Sequence, residues 1–274
     1  MVAIVTDSTA YLSKQEAQEL SIRVVPVSYT VSGKIFQETY ADCNGNFEAV
    51  ISENKGQGVT SQVSVAAFMS TFQELRSQGF EVLCITLSSR LSGTYSSAAI
   101  AARECGGAGI RIVDSLSAAG GMYLLVREAK TMAVAGMTLE QIVPQLLSLR
   151  DKVRIAFSVD DIAQARRGGR FRFVRQSMST MLNRKPLFLF EDGAVVSDIM
   201  VRGKYEMVRL LAGKIPPSVS EVIVHHIDQR QIALNICNEI KKRNPSAKVE
   251  TRPIGPVLAL HLGLGAVGIA WMNV

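Results

Sequence analysis

Hydroxyl side chains are concentrated between Leu87 and Ala98, in the segment LSSRLSGTYSSA, which follows the apolar run from Val82 to Leu87. This order predicts a buried strand, a turn and then a helix that begins near Thr94. Free backbone N–H groups at a helix N-terminus favour an anion, and the hydroxyls of Ser92 and Thr94 can donate to the same guest. We therefore expect a carboxylate or phosphate site here, although a simple helix cap would use the same residue types.

The elements that must position these hydroxyls alternate between strands and helices. Predicted strands that begin at Val2, Glu81 and Ile110 each lead into a hydroxyl-rich turn and a helix pattern. Such alternation predicts a mostly parallel sheet with helices on both faces, whose ligands lie beyond the carboxyl ends of the strands. The residues predicted at such ends are Asp7, Thr60, Ser92 and Ser115.

Local signals fix several boundaries in the first half of the chain. Ser13 and Glu16 form a capping-box pattern, and Ser64 is placed to cap the helix that follows Thr60, Ser61 and Gln62. The runs IRVVPVSYTV and KIFQET flank Ser32-Gly33, which predicts a hairpin or β-turn.

The pattern changes near Val153. A strand and a helix are followed by PLFLF and AVVSDIMV, which Glu191-Asp192-Gly193 separates as in a hairpin. We therefore predict a two-domain α/β protein, with a mostly parallel N-terminal domain over residues 1–152 and a mixed α/β C-terminal domain over residues 153–274.

Composition narrows the class of protein. Of 274 residues, 47% are hydrophobic and 20% are charged, which is typical of a soluble globular chain. Four cysteines without C-x-x-C spacing, and no signal-peptide pattern, favour free thiols and the cytoplasm. The uncharged stretch from Gly255 to Val274 is about as long as a spanning helix. Its glycines predict instead two core elements joined by a turn at Gly263 to Gly265.

The sequence also contains residues that would suit other functions. The net charge of +6 allows an anionic lipid surface or a nucleic acid as partner, and Arg166 to Arg175, interleaved with Phe171 and Phe173, is the best case for a nucleic acid. The apolar surroundings of that run favour an ordered segment. A hydrolase or phosphotransferase that uses Ser92 also stays open, because a base can be assembled in space. His225 and His226 are adjacent on a predicted strand and point to opposite faces, so no metal site is expected.

Eight segments, in order along nearly the whole chain, resemble the DegV family of bacterial fatty-acid-binding proteins. They are VTDST at Val5–Thr9, TSQVS at Thr60–Ser64, LSGTYSSA at Leu91–Ala98, VDSLSAAGG at Val113–Gly121, RRGGRF at Arg166–Phe171, RKPLFLFEDG at Arg184–Gly193, VRGK at Val201–Lys204 and GPVLALHLGLGAVG at Gly255–Gly268.

The resemblance implies that the chain binds a long-chain fatty acid, with the tail in an apolar tunnel between the domains, and presents it to a fatty-acid kinase catalytic subunit. It implies no catalytic residue, no metal and no cofactor beyond the bound fatty acid. A membrane surface is a transient partner at most, and nucleic acid is not expected. The residues implied for the carboxylate are Thr60, Ser61, Ser92, Gly93, Thr94 and His261. Asp7, Ser8 and Ser115 are expected to hold these residues in position without contacting the carboxylate themselves.

Arg202 matches the arginine that docks on the kinase. Three positions depart from the family pattern. Val63 and Leu264 each stand where a proline is usual, and Phe171 replaces a smaller aliphatic residue, which is expected to alter the acyl-chain pocket.

Overall fold

A computed structural model describes residues 1–54, 56–171 and 184–273 of the chain, and these residues form three sheets. The first is a four-stranded parallel sheet in the order β2-β1-β6-β7. Its strands are β1 (Val2–Asp7), β2 (Ile22–Val25), β6 (Glu81–Thr86) and β7 (Ile110–Asp114).

Helices cover both faces of this parallel sheet, as the sequence predicts. Along β6, Val82 and Cys84 face one apolar cluster, whereas Leu83 and Ile85 face another. Successive side chains of a strand point to opposite faces, so each cluster is the core beneath one helix layer. The first layer is α3 (Val65–Ser77) with α4 (Thr94–Glu104), and the second is α5 (Ala119–Val134) with α6 (Leu139–Arg150).

A small antiparallel sheet in the order β4-β3-β5 corrects two of the predictions. Its strands are β3 (Val27–Val31), β4 (Lys34–Glu38) and β5 (Val59–Ser61). The hairpin at Ser32-Gly33 is confirmed, but the run before it divides at Pro26 between two sheets, because proline has no N–H for a sheet ladder. Thr60 lies within β5, opposite Tyr29 of β3, so it is not at the carboxyl end of a parallel strand.

The remaining strands form a six-stranded mixed sheet in the order β10-β9-β8-β13-β11-β12. They are β8 (Val153–Ser158), β9 (Arg184–Glu191), β10 (Ala194–Arg202), β11 (Glu221–His226), β12 (Lys248–Pro253) and β13 (Val267–Met272). The hairpin predicted at Asp192-Gly193 is confirmed, since β9 and β10 are antiparallel. The β11–β12 pair is parallel. A mixed α/β fold is therefore confirmed, while the boundary near residue 152 stays a prediction.

The other helices are α1 (Lys14–Glu19), α2 (Phe47–Glu53), α7 (Ile162–Arg167), α8 (Gly203–Gly213), α9 (Arg230–Arg243) and α10 (Pro256–Leu262). The predicted caps are confirmed: Ser13 and Glu16 form a capping box on α1, and the Ser64 hydroxyl accepts from Ala67 N on α3. Over the described ranges, no helix combines the length and apolar character that crossing a membrane requires. The uncharged C-terminal stretch forms α10 and β13, joined by the predicted turn, at whose first glycine φ is +80°.

Helix α5 lies between the parallel sheet and the mixed sheet and contacts both. Beside it, the guanidinium of Arg252 on β12 binds both carboxylate oxygens of Glu16 and lies 3.8 Å from the centre of the Tyr123 ring. Its Nη2 also donates to the Tyr123 hydroxyl at 2.6 Å. Burial raises the pKa of Glu16, but the hydrogen bonds from Arg252 outweigh burial and bring it to about 2. This buried ion pair joins α1 to the mixed sheet.

Candidate functional site

Between the sheets lies a mostly enclosed cavity with about 970 Å³ of empty space, counting its opening to solvent. Its walls come from β8, β11 and β13, the start of α5 and helix α10. Most of the lining is apolar. The apolar side chains include Val27, Leu87, Leu91, Ile155, Phe157, Phe171, Phe190, Val195, Ile254, Val257, Leu258, Leu262 and Ile269. Such a cavity suits a long apolar ligand.

Polar side chains line the cavity where it meets the surface. Thr60, Arg170 and His261 border both the cavity and an adjoining open groove, so they mark its mouth. The Thr60 hydroxyl lies 2.8 Å from His261 Nε2, although 201 positions separate the two residues in the sequence. Ser61 and Ser92 also line the cavity. Thr60, Ser61, Ser92 and His261 thus all line the cavity, whereas Gly93 and Thr94, which the resemblance also implies, do not line it.

Two backbone contacts hold the serine-rich loop that carries Ser92. Asp7, buried at the end of β1, accepts a hydrogen bond from Leu87 N at 2.7 Å. Ser88 N donates to the carbonyl oxygen of Ser117, whose own N–H donates to the Ser115 hydroxyl. Asp7 and Ser115 therefore contact the loops around the cavity, and neither of them lines it.

At the start of α4, the Ser92 and Thr94 hydroxyls are 2.9 Å apart, and Thr94 N donates to Ser92 Oγ at 3.2 Å. Val63 N donates to Thr94 Oγ1, a bond that the proline usual at position 63 lacks. A Cβ at Gly93 would lie 1.9 Å from the Gln62 side chain, so only glycine allows this close approach. Ser92 pairs with Thr94 and His261 pairs with Thr60, so the described residues show no serine–histidine pair for a nucleophile.

The electrostatics of the mouth favour an anion. The guanidinium of Arg170 donates to the Leu91 carbonyl at 3.1 Å and lies at the mouth of the cavity. Burial, together with a smaller contribution from the charge of Arg170, lowers the pKa of His261 to about 4. His261 is therefore neutral near pH 7, so Arg170 rather than His261 supplies positive charge, and His261 Nε2 is engaged with the Thr60 hydroxyl.

Glu38, which the sequence analysis missed, holds the helix that carries His261. Its Oε2 accepts from Val257 N at 2.9 Å in the first turn of α10, and its Oε1 accepts from the Ser8 hydroxyl at 3.0 Å. A Cβ at Gly255 would lie 2.4 Å from Oε2, so the glycine lets the carboxyl reach the helix. Ser8 therefore acts through Glu38 and does not line the cavity.

We expect Glu38→Gln to flatten the pH dependence of stability. Burial raises the pKa of Glu38 from its ordinary 4.5 to about 8. Because the folded pKa is the higher one, the stability that this group contributes is complete below about 4.5 and is lost as the pH rises through about 8. Urea unfolding between about pH 5 and pH 9 should show the wild type losing on the order of a few kcal/mol more than Glu38→Gln. The exposed Glu53→Gln is the matched control, and equal slopes for all three proteins would contradict the assignment.

The remaining predicted residues lie elsewhere. Arg202 ends β10, is exposed and does not line the cavity. Of the arginine run, Arg172, Phe173 and Arg175 lie outside the described residues. Phe171 is buried in the cavity wall, where its ring packs at 5.2 Å from Phe188, and the effect of this departure on the pocket stays a prediction.

Comparisons with known proteins agree with this geometry. The family model described as "Uncharacterised protein, DegV family" matches residues 1–274. A DegV domain-containing protein of Halalkalibacterium halodurans is 32% identical over 276 residues, which is 98% of each chain. A DegV lipid binding protein of Thermotoga maritima superposes with a TM-score of 0.89 at 28% identity, over 99% of this chain and 98% of that one. A DegV family protein of Thermus thermophilus, whose structure describes fatty acid binding, superposes with a TM-score of 0.89 at 26% identity, over 100% and 99% of the two chains.

Proposed function

Since the chain belongs to the DegV family, whose members include fatty-acid-binding proteins, we propose that it binds a long-chain fatty acid in the cavity described above. Thr60, Ser92 and His261 hold the carboxylate at the mouth. The observation that carries this proposal is an apolar cavity whose mouth is lined by hydroxyls, an imidazole and a guanidinium. Each buried CH₂ contributes about 0.8 kcal/mol of gross affinity, so the tail supplies most of the binding energy and the head group sets the orientation.

Mass spectrometry of an organic extract tests this directly. Protein purified without added lipid should release a fatty acid in near-stoichiometric amount, and lipid-stripped protein should take up one equivalent of added octadecanoate. Stripped protein that binds no fatty acid of any length would overturn the proposal. Turnover of acyl esters that Ser92→Ala abolishes would instead favour a hydrolase.

The second part of the proposal concerns the partner. We propose that the loaded protein presents the carboxylate to a fatty-acid kinase, which forms the acyl phosphate, and that Arg202 docks on that enzyme. The support is its position: Arg202 is exposed, away from the cavity, and directly precedes α8, on which Tyr205 is 84% exposed. Tyrosine and arginine are among the residue types enriched at interface hot spots.

Arg202→Glu should therefore leave fatty-acid affinity unchanged and lower kinase-coupled acyl-phosphate formation by about tenfold or more, because charge reversal turns attraction into repulsion. Lipid binding is measured by displacement of a fluorescent fatty acid, and product formation is measured with a kinase over a salt series. Arg230→Glu, an exposed arginine on α9, is the matched control. If affinity falls as far as turnover, Arg202 belongs to the pocket or the fold.

A further inference from the structure

Two apolar side chains separate the cavity from a second space, which we call the end groove. The end groove is open to solvent, and its lining includes the charged side chains of Arg150, Arg154 and Glu191. Among the described residues, Ile155 and Phe190 line both the cavity and the end groove. Both side chains are only partly buried. The wall between the two spaces is therefore one side chain thick at this place.

The order of residues along β8 shows which end of the cavity this wall closes. Residues two positions apart lie on the same face of a strand. Val153 lines only the end groove, Ile155 lines both spaces, and Phe157 lines only the cavity. Beyond β8 the chain continues through α7 to Arg170, at the mouth. One face of β8 thus leads from the end groove through the wall into the cavity over about 13 Å, and the wall lies at the end away from the mouth.

The wall belongs to the packed sheet. Ala156 of β8 is paired with Leu189 of β9, so the next residues of that register, Ile155 and Phe190, stand opposite each other. The ring of Phe190 also lies 6.3 Å from the ring of Phe157. Aromatic and β-branched side chains on adjacent strands stabilise each other by such contacts. The two side chains are therefore held in place by the sheet itself.

We propose that Ile155 and Phe190 stop the methyl end of the acyl chain and so set the longest fatty acid that the protein binds. This role rests on the proposed fatty-acid binding and adds a selection by chain length. With the carboxylate at the mouth, the methyl end points toward this wall. Each CH₂ added within the cavity raises the affinity by about fourfold. A CH₂ beyond the wall would stay in contact with water among the charged side chains of the end groove, and it adds no affinity.

Titration with saturated fatty acids of increasing length gives the first test. For the wild type, affinity should rise with length up to a limit and then fall by about tenfold or more, because a chain that is too long overpacks the wall. Phe190→Ala should move this limit up by about two to four carbon atoms, since the chain takes the space of the missing ring. Leu189→Ala is the matched control. Leu189 lines the end groove but not the cavity, so this variant should keep the limit of the wild type.

Ile155→Phe tests the same wall in the opposite direction. The larger side chain fills the end of the cavity, so the limit should move down by about one or two carbon atoms, and binding of the shorter acids reports that the variant folds. Should Phe190→Ala fail to fold, this variant decides alone. A limit equal to that of the wild type in every variant that folds would place the end of the chain elsewhere and overturn the role of the wall, with the proposed function intact. If the wild type binds no fatty acid of any length, both proposals fail.

The position of the methyl end provides an independent readout. Each protein is loaded with the longest saturated acid that it accepts, labelled with ¹³C at the terminal methyl, and NMR spectra are recorded with a water-soluble paramagnetic reagent. In Phe190→Ala the methyl signal should broaden, because the end of the chain reaches the end groove. In the wild type and in Leu189→Ala it should stay sharp, because the wall keeps the reagent away. Equal broadening in the wild type and Phe190→Ala would contradict the proposed stop.

Discussion

Arg252→Met is expected to lower the free energy of unfolding by about 2 to 4 kcal/mol. Methionine keeps most of the apolar stem, so the loss reports the guanidinium. That group satisfies Glu16 and the Tyr123 hydroxyl at once, and its own side chain is 8% exposed. Removing it leaves Glu16 partly buried without a counter-ion, and the penalty of an uncompensated charge exceeds the net worth of the pair.

Chemical denaturation of the wild type and the variant measures this loss. Arg103→Met is the matched control, since the Arg103 side chain is 76% exposed and its surface pair with Glu104 contributes about 0 to 1 kcal/mol. The pH dependence provides a second check. The pKa of Glu16 in the folded wild type is about 2, below its ordinary 4.5, so its contribution is present above 4.5 and is lost as the pH falls toward 2. This acid-linked loss should shrink in Arg252→Met. A variant as stable as Arg103→Met would mean that the bridge does not hold α1 to the mixed sheet.

Ser92→Ala is expected to weaken fatty-acid binding by about 1 to 3 kcal/mol, the value of one charge-assisted hydrogen bond to a desolvated carboxylate, because the tail contacts are unchanged. Ser89→Ala is the matched control: Ser89 is exposed on the same loop and does not line the cavity. Isothermal titration with octadecanoate gives both affinities. An unchanged affinity for Ser92→Ala would place the head group elsewhere.

A separate prediction concerns the energetic coupling between Thr60 and His261 at the mouth of the cavity. Thr60→Ala and His261→Ala should each weaken binding, and their effects should not add to one another, because the two side chains share a hydrogen bond of 2.8 Å. A double-mutant cycle on this pair measures the interaction energy. Strictly additive effects would mean that Thr60 and His261 contact the ligand independently.

Structural features that depend only on neighbouring residues could be predicted from the sequence, and those that depend on distant residues could not. The capping box of Ser13 and Glu16 and the hairpins at Ser32-Gly33 and Asp192-Gly193 depend on neighbouring residues only, and the structure has them where the sequence predicts them. The division at Pro26 could not be predicted, because the choice of sheet depends on partners far along the chain.

The residues of the candidate site also differ in whether a local sequence motif predicts them. Ser92 stands in a motif of hydroxyls that can be read locally, whereas the pairing of His261 with Thr60 was expected only from the family resemblance. Glu38 gave no signal at all. A glutamate in a hairpin is ordinarily exposed. Its role here becomes visible only once Val257, 219 positions later, is folded against it.

Residues of the site that contact one another, such as Thr60 and His261, are far apart in the sequence and are therefore synthesised at different times. Translation at about 5 to 20 residues per second leaves on the order of 10 to 40 seconds between the synthesis of Thr60 and that of His261. During this interval the hydroxyls of the first half have no imidazole, and Glu38 has no helix to cap. Under the proposed function, a fatty acid would therefore stabilise the finished chain but not a nascent or truncated one. Lipid occupancy would in this way distinguish complete molecules from interrupted ones in the cell.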